Sequence, residues 1–109
     1  MAFSVIDKSS SFMSTKLYSG NGSTNAITGV GFQPDLVWLK ERSSTSGHNL
    51  IDSVRGATKR ISSNNTDAQD TLANVVSSFD SDGFTNGADN GANENGQTYV
   101  SWNWKAGTT

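Results

Sequence analysis

Cysteine is absent from this 109-residue chain. That excludes a disulfide framework, a thiolate nucleophile and any Cys-based metal site. The fold therefore does not depend on the redox compartment. Proline and histidine occur once each. No apolar run approaches the ~20 residues of a membrane-spanning helix. The opening MAFSVIDKSS lacks the basic region and long apolar stretch of a secretory signal, so synthesis in a cytoplasm is expected. Positive charge is also scarce, with 8 Lys and Arg against 10 Asp and Glu. Nucleic-acid binding needs a basic footprint, which a pI of about 5.1 does not supply. Nor does that balance favour an anionic membrane surface. Hydrophobic residues make up 33%, enough for one thin core.

Ser, Thr, Asn and Gly together supply 50 of the 109 residues. Disordered chains combine few aromatics with high net charge. Here aromatics reach 9% and the formal charge is −2, which favours a folded all-β domain with polar loops. Short β-rich runs recur between Gly/Asn/Ser clusters, without helical periodicity. Strands are predicted at Ala2–Ile6, Thr15–Tyr18, Ala26–Val30, Asp35–Arg42, Asn49–Ser53, Thr58–Ser62, Val75–Phe79, Gly83–Thr85 and Gln97–Lys105. Leu36-Val-Trp-Leu39 is a continuous apolar run, which reads as a strand covered on both faces. Residues 64–74 read as a helical turn or an irregular loop. Asn-Gly at Asn21, Asn86, Asn90 and Asn95 predicts tight hairpin turns. The expected architecture is a small antiparallel β-sandwich or jelly-roll-like domain over residues 15–109. Residues 1–14 are an N-terminal arm or edge strand.

Asp80, Asp82 and Asp89 with Asn86 and Asn90 offer hard oxygen ligands, but the EF-hand spacing fails because Gly83 comes early and Phe84 takes the fifth position. Asp80-Ser-Asp-Gly83 fits a type I turn better. In Thr98–Lys105 the alternation places Val100, Trp102 and Trp104 on one face. With so few large apolar residues, that row is assigned to the core, with Trp38 as its partner across it. Tyr99 then faces away. His48, Asp52 and Ser53 spell a triad in composition only, since neighbours on a strand point to opposite faces. Arg55 is expected to pair with Asp52 or another acid and tie down a loop. No catalytic, cofactor or metal site is predicted.

Five ordered blocks carry a resemblance. They are Lys16–Thr24, Ile27–Lys40, Asp52–Lys59, Ser78–Thr85 and Tyr99–Gly107. Together they resemble a domain found in bacteriophage tail-fibre-like and other virion structural proteins, notably of marine phages. The resemblance implies a β-rich, non-enzymatic virion protein. Such domains sit in longer chains, so a chain of this length is expected to be a head decoration (cement) protein on the capsid exterior, or a small tail component. Expected partners are the major capsid protein or other virion proteins, with homo-oligomers. Phe3, Val5, Phe12 and Met13 are candidate anchors of an arm that adds a strand to a neighbour. The alternative is a tail-associated adhesion module that binds host glycan through Tyr99, Asn86, Asn90 and Asn95.

Overall fold

The computed structural model describes residues 11–106. Nine strands and one short helix follow in the order β1 (Met13–Ser19), β2 (Asn25–Ile27), β3 (Leu36–Glu41), β4 (Asn49–Asp52), β5 (Lys59–Ile61), β6 (Asp70–Thr71), β7 (Ser78–Asp80), β8 (Gly83–Asn86), α1 (Asn90–Asn93) and β9 (Thr98–Trp104). All pairings are antiparallel, and they form a six-stranded sheet, β1-β9-β3-β4-β5-β6, and a three-stranded sheet, β2-β8-β7. The all-β sandwich expected from sequence is what the chain forms. No described helix is long and apolar enough to cross a membrane.

Side chains alternate across the large sheet. Its inner face carries Val37, Leu39, Ile51 and Tyr99, which meet Ile27, Phe84, Val75, Val76 and Ala92 in the core. Tyr18 stacks on Tyr99 with ring centroids 5.2 Å apart, and it meets the edge of Phe84. Burial pushes the hydroxyls of both tyrosines to resist ionisation. The remaining inner positions of β9 are Ser101 and Asn103, both fully buried. Small side chains there let the thin second layer approach closely. Asn103 donates its Nδ2 to the carbonyls of Ser14 and Ser101, while its Oδ1 is buried without a partner among the described residues.

The second layer is fastened by tight approaches. A Cβ on Gly83 would lie 1.8 Å from the Ile27 carbonyl oxygen, so only glycine lets β8 start this close to the end of β2. Asn93 is buried and joins two loops. It accepts from the Asn21 amide and from Asn25 Nδ2, and it donates to the carbonyls of Ser23 and Gly87.

The expected tight turn at Asp80–Gly83 forms, with Ser81–Asp82 between the paired Asp80 and Gly83. The Asn-Gly turns differ from the expectation. None of the four Asn-Gly pairs forms a type I′ turn, because no described non-glycine residue has positive φ. Asn90-Gly91 instead opens α1, where Asp89 accepts from the Gly91 amide as N-cap. Residues 64–74 hold turns and the two-residue β6, and the short helix lies later, at Asn90–Asn93.

Candidate functional site

Cross-strand partners share a face of the sheet. Trp102 stands between Thr15 and Trp38, and Trp38 in turn faces Leu50, which faces Ile61. One row away, Trp104 stands between Met13 and Leu36. On the other side, Val100 lies between Leu17 and Lys40. These residues form the outer face of the six-stranded sheet, opposite the core. Val100 is covered, whereas Met13, Leu36, Trp38, Leu50, Ile61, Trp102 and Trp104 are only half-buried. Leu17 is 58% exposed.

This inverts the expected assignment of the aromatic row. Trp38, Trp102 and Trp104 do not fill the core, and Trp38 is the lateral neighbour of Trp102 in the same sheet. The alternation itself is as expected. Which face is covered was decided by the inner positions, where Ser101 and Asn103 are small enough to pack beneath the second layer and indoles are not. The both-faces-covered reading of Leu36–Leu39 holds only for its inner residues, Val37 and Leu39.

The two indoles are not coplanar. The ring centroids of Trp38 and Trp102 are 5.1 Å apart and tilted by 48°. His48 fixes Trp38 from the side, with its ring 5.6 Å away and its Nδ1 accepting the indole N–H at 2.9 Å. Asp52 binds the Arg55 amide and guanidinium, and Ser53 donates to Asp35. His48, Asp52 and Ser53 thus have separate partners and form no triad. Burial acts to raise the Asp52 carboxyl, but the Arg55 amide and guanidinium outweigh it and hold it below the ordinary aspartate range.

The glycan candidates do not converge. Tyr99 and Asn86 are fully buried, while Asn90 and Asn95 are exposed. The Tyr99 hydroxyl accepts from the Glu94 amide and donates to the Asn90 carbonyl. Tyr99 does face away from the tryptophans, but that direction is the interior. Asn86 donates to the Val75 carbonyl inside the core. No sugar could reach these two without unfolding the second layer.

The acidic loop is divided among three tasks. Asp80 accepts from Ser78 and Thr85, Asp89 caps α1, and Asp82 accepts from the amides of Gly29 and Gly31 at 2.9 and 2.7 Å. Those two amides, with Lys16 nearby, lower the Asp82 carboxyl below the ordinary aspartate range. Among the described residues no group of three or more His, Asp or Glu is placed to hold a metal ion.

Of the arm anchors, Phe3 and Val5 lie outside the described residues. Phe12 accepts from the Lys105 amide, and Met13 opens β1, so the expected arm boundary at Ser14 falls two residues inside a strand. Leu17, Leu36, Leu50 and Ile61 were not singled out as site residues by sequence reasoning. Their signal was the alternation in β1 and the unbroken apolar run in β3, once the covered face is known.

The chain is thus an antiparallel sandwich whose large sheet has one tightly packed face and one open apolar face. The chain belongs to the family described as a domain of unknown function, DUF7483, whose model matches residues 8–109. No curated protein and no solved structure matches it.

Proposed function

We propose that this protein is a non-enzymatic virion structural module that acts by protein–protein contact through the outer face of its six-stranded sheet. The observation that carries the contact surface is the row Leu50, Trp38, Trp102 with Leu36, Trp104 and Met13 beside it, all half-buried on one side of one sheet. Contiguous apolar patches of this kind mark interaction sites. Trp is also the residue type most enriched among binding hot spots. The virion setting rests on the five sequence blocks that resemble phage structural domains. Within that setting the reading is a decoration protein that docks the face on a major capsid protein or another virion neighbour. Many copies make weak contacts effective.

The glycan reading loses its expected residues, since Tyr99 and Asn86 are buried. Its remaining support would be the indole pair, but a 48° tilt gives no flat platform for successive sugar rings, and aliphatic side chains surround it.

The test is incorporation into particles. Trp102→Lys with Trp38→Ser should lower the melting temperature by roughly 8–16 °C, leave the chain folded at room temperature, and abolish co-sedimentation with virions. Retained incorporation contradicts the reading. Loss of binding to a glycan array instead, with incorporation intact, would move the face to host recognition.

A further inference from the structure

Among the described residues the six-stranded sheet has one long edge. At one end lies β6, only two residues long, while at the other lies β1 with seven. The ladder between β1 and β9 is framed by the Lys105 amide donating to Phe12 and the Gly20 amide donating to Gln97. Hydrogen-bonded pairs alternate along an antiparallel ladder. Residues 14, 16 and 18 therefore bond to β9, and Met13, Thr15, Leu17 and Ser19 turn their backbone groups to the open side. The Ser19 carbonyl is taken by Asn25 Nδ2. The amides and carbonyls of Thr15 and Leu17 have no partner among the described residues, and both side chains are exposed.

Edge strands are normally blunted by Pro, a bulge, shortness or a projecting Lys. β1 has unbroken register and no Pro, and Lys16 lies on the inner face beside Gly29 rather than over the edge.

We infer that β1 is a self-pairing edge. Two copies join antiparallel about a two-fold axis through Thr15, which makes one twelve-stranded sheet. This does not depend on which partner the outer face meets. Among the registers, centring on Lys16 would set Lys16 opposite Lys16 of the second copy, and like charges directly opposite are unfavourable. Centring on Thr15 sets Met13 opposite Leu17 twice and Ser14 opposite Lys16. It also pairs the outward backbone groups of residues 13, 15 and 17. The apolar outer faces then run on across the junction, from Trp104 and Met13 of one copy to Leu17 and Val100 of the other.

The chain has no native cysteine, so a single introduced one reports the register cleanly. Opposed hydrogen-bonded residues have Cα atoms about 5.5 Å apart, within disulfide range. Thr15→Cys should give a disulfide-linked dimer under mild oxidation in high yield, and Ser62→Cys should not. Analytical ultracentrifugation of the parent should show a dimer at high micromolar concentration. Leu17→Lys should shift it to monomer with an unchanged circular dichroism spectrum. Adding Met13→Glu to Leu17→Lys should restore the dimer, because positions 13 and 17 face each other in this register. A monomeric parent, or a dimer that ignores Leu17→Lys and fails to cross-link at position 15, overturns the proposal.

Discussion

Trp38 donates its indole N–H to Nδ1 of His48 across 2.9 Å, on the open side of the large sheet. The chain's single histidine is therefore a prop for a tryptophan. That contact holds one half of an indole pair in place while leaving its outer edge to solvent.

The first prediction follows from that exposure. Trp102→Ala should cost about 1 kcal/mol, because a half-buried ring gains only part of the ~1.5–3 kcal/mol of full burial. Phe84→Ala, in the core, should cost about 3–5 kcal/mol. Denaturant midpoints of the two variants compare them directly, and equal losses would put Trp102 in the core.

Asn93→Ala should be the most damaging polar substitution. It would remove the bonds to the Asn21 amide and to the carbonyls of Ser23 and Gly87, and each such hydrogen bond contributes about 0.5–1.5 kcal/mol. Thermal unfolding should show a loss of at least that size. Hydrogen exchange at Asn21 should accelerate. Asn93→Asp keeps only the acceptor and should recover part of the loss.

Gly83→Ala should prevent folding or lower the midpoint sharply, since its Cβ would sit 1.8 Å from the Ile27 carbonyl oxygen. Ser81→Ala in the same hairpin should be nearly neutral. The pair separates the close approach from a general sensitivity of the turn.

Acid stability should depend on Asp82 and Asp52. Both carboxyls sit below the ordinary value of 3.8 in the folded chain. A group lowered on folding contributes stability above its unfolded pKa and loses it as pH falls through the folded one. Midpoints should hold steady from neutral pH toward 3.8 and drop below it. Asp82→Asn should lower the neutral plateau and flatten the acid decline. An unchanged acid limb would remove the bonds to Gly29 and Gly31 from the account.

The fold was largely legible because turn residues punctuate the chain and alternation fixes strands. The predicted Asp35–Arg42 and Gln97–Lys105 match β3 and β9 to within a residue at each end. Alternation cannot say which face is covered. Tyr99, Ser101 and Asn103 look like a solvent face beside Val100, Trp102 and Trp104. Burial of Asn103 depends on acceptors from Ser14, distant in sequence, and Tyr99 depends on α1 and Tyr18. Those partners come from tertiary structure alone. Asn93 was missed for the same reason, since its partners lie about seventy positions away. Val75 and Val76 lie in the predicted strand Val75–Phe79 and are buried in the core, but β7 itself begins only at Ser78.

Cryo-electron microscopy of particles that carry this protein, at a resolution that places its sheet, tests the docking face most directly. Repeated copies should appear with Trp38, Trp102 and Leu50 pressed against a neighbouring virion protein. Copies whose outer sheet face looks into solvent, held instead through the α1 side, would contradict it.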